Sequence, residues 1–421
     1  MANLTEEREL LKDSSCVVQN SLPVKKKTFL NRPVGSVVGL IEAVAIGFAL
    51  YFLLSSIKIS GPLMDYNTVI ENVNNVFLNK ILWTLMNFTE PQFYAGVVSS
   101  IAIILGGVIA WRLDLKNSKY AGFNVCYGAN MFPWVLASQV LSLSLTMFVF
   151  NYTDLFNSGN YTWLPTFITV VGLPPALMLI YGPSLKALLT GSILASLMSF
   201  PIALWISDNI IPVLGVPGVV SNVFTMAITE IIIFQICKVL PWMEKVQPKA
   251  INRTPKDPED EEEAMKKPLW FLRRVAADFS EAQFYGNEIA GLMVIVGVTI
   301  DWLLNFNHGV YGSGVIPAIL LSQIVASAVG VFLYFDKFRK GGWYATYVPV
   351  VSVGPACVLM FGGTIPVALV SGVLGGIIGA PVAEYFARKV PEDFHTTIAN
   401  VTSMGVSTIV VSMVIKALPW F

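Results

Sequence analysis

Long apolar runs separated by short polar connections dominate the chain and predict transmembrane helices. A hydrocarbon core of about 30 Å requires roughly 20 apolar residues in a helix. Eleven segments meet this requirement, at residues 36–56, 91–111, 130–150, 164–182, 185–206, 218–239, 283–304, 315–335, 344–362, 365–387 and 396–416. The pattern therefore predicts an all-α polytopic membrane protein with about 11 transmembrane helices.

The basic residues of the connections predict how the chain is oriented. Lys and Arg are retained on the cytoplasmic side of a membrane protein. With eleven spans, all but three of the 27 basic residues fall on the side of the N-terminus, the exceptions being Lys58, Lys80 and Lys416. We therefore expect a multi-pass protein of the cell membrane with a cytoplasmic N-terminus and an outside C-terminus. The first thirty residues are polar, so the first apolar run is expected to insert without a signal peptide.

Two parts of the chain carry the same aromatic, Pro and Gly positions in the same order. Residues 88–94 (FTEPQFY) recur as 279–285 (FSEAQFY), and residues 240–242 (LPW) recur as 418–420. Each copy contains five predicted spans, an odd number, so the second copy is expected to cross the membrane in the opposite sense. The sequence thus predicts one N-terminal helix followed by two five-helix inverted-topology repeats with broken helices.

These features divide the chain into five parts. They are a cytoplasmic N-terminal arm (1–35), an extra transmembrane helix (36–56), repeat 1 (77–242), a cytoplasmic linker rich in acidic residues and Pro (243–268) and repeat 2 (269–421). A run of charges such as that at 259–263 is typical of a solvated segment rather than of a binding site.

Matched breaks in the fourth and ninth spans predict a site near the membrane midplane. The fourth span contains Gly172, Pro174 and Pro175, and the ninth contains Gly354 and Pro355 at equivalent positions. Proline lacks a backbone N–H and frees a carbonyl group of the helix. The freed groups are candidates for binding a solute or an ion, and the alternative is a kink packed against neighbouring helices.

Polar side chains inside the spans supply further candidates. Those at matched positions are candidate solute contacts, with hydrogen bonding between helices as the alternative; they are Ser138, Gln139, Ser322, Gln323, Asn222 and Asn400. Glu230 and Glu288 have no acidic counterpart in the other copy and are candidate coupling sites for H⁺ or Na⁺. Glu90 and Glu281 do match, but they lie in patterns typical of a helix capping box.

Composition excludes several other classes of function. The chain has 55% hydrophobic and 13% charged residues, and its 27 basic residues equal its 27 acidic residues in number. This balance gives no support for a nucleic-acid partner. Four cysteines without paired spacing and two distant histidines predict no metal site or cofactor. Because no catalytic motif is present, we do not expect an enzyme.

In overall plan the chain resembles inverted-repeat secondary transporters, a resemblance of architecture over residues 88–420 and not of any specific family. It implies transport of a small polar or anionic metabolite by alternating access, coupled to H⁺ or Na⁺. The alternatives are a passive channel and a membrane permease subunit of a larger uptake system, either phosphotransferase-type or energised. The expected partners are the lipid bilayer, the solute and the coupling ion, and a homo-oligomer remains open.

Overall fold

The computed structural model describes residues 32–251, 253 and 258–419, and this part of the chain is helical without any β-strand. Its α-helices are α1 Val34–Ser56, α2 Tyr66–Glu71, α3 Phe77–Met86, α4 Val97–Leu115, α5 Phe132–Ser144, α6 Leu173–Tyr181, α7 Leu185–Asn209, α8 Ile211–Leu214, α9 Val219–Val239, α10 Pro258–Met265, α11 Pro268–Asp278, α12 Glu288–Leu304, α13 Ile316–Leu333, α14 Phe335–Gly341, α15 Val353–Phe361, α16 Ile365–Ala387 and α17 Thr397–Ala417.

Eight helical segments of the described chain are long and apolar enough to cross a membrane. They are α1, α4, α5 with its continuation to Val149, α7 with α8, α9, α13, α16 and α17. The other three predicted spans are shorter: α12 has 17 residues, and Thr166–Tyr181 and Val348–Phe361 are each interrupted. The architecture is that of a polytopic membrane protein, as the sequence predicts.

Apolar side chains cover the outer surface of the long helices. Ile41 of α1, Leu105 of α4 and Val296 of α12 are 63%, 49% and 57% exposed. In water such a surface would be unfavourable, whereas lipid chains solvate it.

The contact between α4 and α12 is formed by small residues. A Cβ atom on Gly106 would lie 2.7 Å from Ala290 Cα, and one on Gly297 would lie 2.6 Å from Ser99 Cα. Small residues allow helices in a bilayer to approach closely.

The helices of the first half of the protein (α2 to α9) and of the second half (α11 to α17) make corresponding contacts. In the first half α5 packs against α6 and α7, and α7 packs against α9; in the second half α13 packs against α15 and α16, and α16 packs against α17. Between the halves, α4 packs against α12 and α9 packs against α17. The first helix breaks this correspondence, because α1 packs mainly against α11 and α13 of the second half.

The connection between the halves is partly structured. It contains α10, and its Arg253 pairs with Asp114 at 2.7 Å and donates to the carbonyl oxygen of Gly128 at 3.1 Å. These contacts attach the connection to the first half. Most of the predicted N-terminal arm, with Lys12 and Lys25–Lys27, lies outside the described residues.

Candidate functional site

Two short reversals of the chain meet in the interior. Glu90–Gln92 and Glu281–Gln283 each form a single 3₁₀ turn, and each turn ends at a phenylalanine with left-handed backbone, Phe93 (φ 63°) and Phe284 (φ 65°). Each then leads into a long helix, α4 or α12. The two reversals therefore share one conformation, and this conformation turns the chain back sharply at the same point of both halves.

The side-chain amides of Gln92 and Gln283 join the reversals. Gln283 Nε2 donates to Gln92 Oε1 at 2.7 Å, and Gln92 Nε2 donates back to Gln283 Oε1. Each amide also donates across to a backbone carbonyl, Gln92 to Phe279 at 3.0 Å and Gln283 to Phe88 at 2.8 Å. Both side chains are fully buried. The two reversals are thus bound to each other by a closed set of hydrogen bonds.

Gln139 and Gln323, predicted as solute contacts, support these reversals. The Tyr94 hydroxyl donates to Gln323 Oε1 at 2.7 Å, and the Tyr285 hydroxyl donates to Gln139 Oε1 at 3.1 Å. Gln323 Nε2 donates to the carbonyl of Gln92 at 2.9 Å, and Gln139 Nε2 donates to that of Gln283 at 3.2 Å. These hydrogen bonds join α5 and α13 to the reversals and to the tyrosines that follow them, whereas the alternative interpretation expected bonds between transmembrane helices.

A cavity of about 490 Å³ lies beside the reversals, between the two halves. The lining residues come from both reversals, the segments around both helix breaks, the turn Val310–Gly312, α9 with the loop before it, and α17. They are Glu90, Pro91, Phe93, Trp163, Phe167, Val171, Gly172, Val216, Pro217, Gly218, Val219, Asn222, Val223, Met226, Ala282, Phe284, Tyr311, Tyr347, Val351, Ala356, Leu359, Met360, Thr397, Val401 and Met404. Its size and its mostly apolar wall with a few polar groups are typical of a small-molecule site.

The cavity includes only part of the solute site predicted from sequence. Gly172 and Asn222 line it. The other candidates do not, and they are Ser138, Gln139, Pro174, Pro175, Ser322, Gln323, Gly354, Pro355 and Asn400. Ser138 and Ser322 donate to carbonyls of their own helices, those of Val135 at 2.7 Å and Ile319 at 2.8 Å.

The helix breaks differ from the expected proline kinks. Gly172 has φ 74° and ψ −118°, and α6 begins directly after it. Pro174 and Pro175 therefore lie in the first turn of a new helix, where a missing N–H leaves no carbonyl unpaired. The equivalent break at Ser352 has φ −147°, so only the first break requires glycine. A Cβ atom on Gly172 would also lie 3.1 Å from Met226 Cγ.

Among the described residues of the cavity wall, Glu90 is the one carboxylate. Its Oε1 accepts hydrogen bonds from Trp163 Nε1 and, at 3.2 Å, from the Tyr311 hydroxyl. Its Oε2 is buried and has no hydrogen-bond partner among the residues that the structure describes. Thr89 makes no capping bond to the turn that Glu90 begins. The capping-box interpretation of Glu90 is therefore wrong, because its side chain binds the distant Trp163 and Tyr311 instead.

Glu281, the counterpart of Glu90, has a different environment. It accepts hydrogen bonds from Trp343 Nε1 at 3.0 and 3.1 Å and forms an ion pair with Arg274. Arg274 also pairs with Asp278 at 2.6 Å, and Asp278 accepts from the hydroxyl of Thr346 at 3.1 Å. Arg274, Asp278, Glu281 and Thr346 are buried, and Trp343 is partly buried. Capping is wrong for Glu281 as well, because this carboxylate belongs to a buried ion cluster.

The two predicted coupling residues lie in contrasting places. Glu288 pairs with Arg273 at 2.6 Å and accepts from the backbone N–H of Phe123 at 2.7 Å, at the N-terminus of α12. Glu230 is fully buried on α9, and in the described part of the chain neither of its carboxylate oxygens has a hydrogen-bond partner. It lies beside the cavity, since a Cβ atom on the lining residue Gly172 would be 3.3 Å from Glu230 Oε1.

Sequence reasoning missed the partners of the two glutamates. Trp163 and Trp343 stand at matched positions of the two copies, as do Glu90 and Glu281. A tryptophan and a buried acid that recur together are a signal for a hydrogen bond between them. The chain matches no protein-family model, and no curated protein is significantly similar to it in sequence.

Proposed function

We propose that this protein is a secondary active transporter of the cell membrane that moves a small solute by alternating access, coupled to H⁺ or Na⁺. The observation that carries the proposal is the cavity between the two halves, lined by both reversals and by residues around both helix breaks. Secondary transporters place their solute site where two repeats meet and where helices are discontinuous.

An inverted repeat of five spans, preceded by one extra helix, is the architecture that goes with this proposal. It is supported by three independent features: the recurrence of sequence motifs, the matching contacts of α5–α9 and α13–α17, and the distribution of Lys and Arg. Counting α12 and the two interrupted segments as spans gives eleven crossings, with the N-terminus cytoplasmic and the C-terminus outside.

The two reversals are equivalent in the two halves, and in this proposal each closes access to the solute from one side of the membrane. Glu90, Trp163 and Tyr311 line the cavity. Glu281 and Trp343 do not, nor does Tyr127, which matches Tyr311 because each is followed by glycine at the same point of its copy. In an alternating-access cycle the second set lines the cavity after the two halves exchange conformations.

The charges of the cavity revise the expected solute. Among the described residues that line it, there is one carboxylate and no Lys, Arg or His. An anionic solute would meet repulsion from Glu90 and find no compensating positive charge. We therefore retain a small solute with polar groups and no longer propose an anion.

Glu230 is the residue we propose for ion coupling. A carboxylate in an apolar interior is unfavourable unless it is protonated or paired with a cation. Glu230 has no described partner and lies next to the cavity, so binding of H⁺ or Na⁺ at this residue is expected to favour one orientation of the halves. Glu288 is less suited to this role because Arg273 already balances its charge.

Cysteine accessibility tests alternating access without knowledge of the solute. A single cysteine replaces Phe167 on the cavity wall in a background lacking Cys16, Cys126, Cys237 and Cys357, and a membrane-impermeant thiol reagent is added from either side of the membrane. The same cavity cysteine is expected to react from the outside under one condition of pH or Na⁺ and from the inside under another. Equal reaction from both sides under every condition would identify a passive channel, and reaction from one side only would contradict transport.

Glu230→Gln tests the coupling residue in the same assay. The substitution is expected to abolish the change of labelled side with pH or Na⁺ while the cysteine remains reactive. Glu288→Gln is the matched control, because it removes a carboxylate that is already paired. If Glu230→Gln responds to pH and Na⁺ as the parent does, Glu230 is not the coupling site.

A further inference from the structure

The contrast between Glu90 and Glu281 bears on the chemistry of the solute. The carboxylates occupy equivalent positions of the two reversals, and each accepts a hydrogen bond from a tryptophan indole, Trp163 or Trp343. Glu281 is balanced by Arg274, which lies seven residues before it. Seven residues before Glu90 stands Trp83, which is fully buried and carries no charge. Within the described residues, a cation is therefore supplied to Glu281 and not to Glu90.

Nothing else in the described chain supplies a cation to Glu90. It forms no ion pair with any described side chain, and its Oε2 is buried without a hydrogen-bond partner. A buried carboxylate retains its charge only when it is paired, and its preferred partner in an apolar environment is a cation held at short range. The missing positive charge is thus expected to come from outside the chain, through the cavity that Glu90 lines.

The rest of the cavity wall fits a cation with an apolar body. Aromatic side chains line the cavity together with Glu90, among them Trp163, Tyr311, Phe93 and Phe284, and the first two donate hydrogen bonds to its carboxylate. Trp163 and Tyr311 meet edge to face, with ring centroids 6.1 Å apart. Aromatic faces attract alkylammonium groups through the charge distribution of the ring. A sugar that filled this cavity would need many more hydrogen-bonding partners than the cavity wall provides.

Building on the proposed function, we propose that the cavity binds a monovalent organic cation, an amine or ammonium with an apolar body, whose positive charge pairs with Glu90. The aromatic side chains hold the apolar part and contact the cationic group. Glu281 remains paired with Arg274 in this state, so only one of the two carboxylates engages the solute.

Binding to the purified protein in detergent tests this proposal separately from transport. The probes are benzyltrimethylammonium, its neutral isostere neopentylbenzene, benzoate and glucose, and the readouts are tryptophan fluorescence and thermal stability. We expect the ammonium to bind and to stabilise the folded protein, with the other three binding at least about tenfold more weakly. Equal or tighter binding of the neutral, anionic or polyol probe would overturn the proposal.

Variants at the cavity and away from it test whether Glu90 is the carboxylate that pairs with the ammonium. Glu90→Gln is expected to weaken ammonium binding by at least about tenfold, since it removes the paired charge and keeps the shape. Glu71→Gln, which removes one exposed carboxylate, is the control and is expected to leave binding unchanged. Unchanged ammonium affinity in Glu90→Gln would contradict the proposal. If Glu90→Gln does not fold, the comparison of the ammonium with its neutral isostere on the parent protein decides whether the positive charge contributes to binding.

Failure of this inference and failure of transport give different results. If the ammonium binds through Glu90 but the cavity cysteine is always labelled from the same side, the cation site is supported and the transport proposal is contradicted. If the labelled side of the cysteine changes with pH or Na⁺ but the ammonium does not bind, the transport proposal is supported and the cation site is contradicted.

Discussion

The amides of Gln92 and Gln283 hydrogen-bond to each other where the two reversals meet, and both side chains are fully buried. Each amide also donates a hydrogen bond to a backbone carbonyl of the opposite half, Gln92 to that of Phe279 and Gln283 to that of Phe88. The carbonyl oxygens of Phe88 and Phe279 therefore accept their hydrogen bonds from one pair of side chains. The junction is consequently a place where a single substitution leaves several buried groups unpaired.

Gln92→Leu is expected to lower the free energy of unfolding by about 2–4 kcal/mol, because it leaves the Phe279 carbonyl and the Gln283 amide without partners. Gln283→Leu should have a similar effect, since its contacts are equivalent. Gln235→Leu makes the same chemical change at an exposed position of α9 and should be nearly neutral. Thermal unfolding in detergent measures all three, and equal stability of the Gln92 and Gln235 variants would contradict the assigned role.

Arg274→Met is expected to destabilise the protein by about 3–5 kcal/mol, because Asp278 and Glu281 would be left as buried charges without a cation. The matched control is Arg388→Met, which removes an exposed partner of Glu384 and should change stability by less than about 1 kcal/mol. Adding Asp278→Asn and Glu281→Gln to the Arg274 variant should restore much of the loss. A triple variant no more stable than the single one would show that packing, not charge, accounts for the effect.

The long membrane helices could be predicted from sequence because each is a continuous apolar run with its own pattern, as in α1 and α13. The reversals could not. Glu90 resembles a helix cap in its local sequence, and its partners Trp163 and Tyr311 lie 73 and 221 residues away. Likewise, Gln139 and Gln323 are polar residues inside spans, and only the fold shows that tyrosine and backbone groups already occupy them. Local patterns identify elements, whereas the chemistry of this site depends on distant contacts.

Gly172→Ala tests the first helix break. A residue with φ 74° and ψ −118° has backbone angles that only glycine adopts readily, and the added methyl group would press on Met226. We expect a loss of more than about 2 kcal/mol. Gly159→Ala is the matched control, since Gly159 also has a positive φ of 71° but would place its Cβ in open space; it should cost about 1 kcal/mol. Similar losses in both variants would assign the effect to φ alone.

The imidazole of His395, in the loop between α16 and α17, makes stability depend on pH. Its Nδ1 accepts a hydrogen bond from the backbone N–H of Thr397 at 3.2 Å, and burial lowers its pKa from 6.5 to about 4. Between these values the unfolded chain binds the proton more readily than the folded one. Stability is therefore complete above about pH 6.5 and is progressively lost as the pH falls towards 4, by at most about 3 kcal/mol.

His395→Asn keeps an acceptor for the Thr397 N–H and removes the titrating ring, so its unfolding free energy should fall less steeply between pH 6.5 and 4 than that of the parent. The comparison uses chemical unfolding in detergent at pH 7.5, 6.0, 5.0 and 4.5, because the contributions of all other groups cancel in the difference between the two proteins. A constant difference over this range would mean that His395 takes up its proton equally well in the folded and unfolded chains, and the hydrogen bond to Thr397 would then have no influence on its titration.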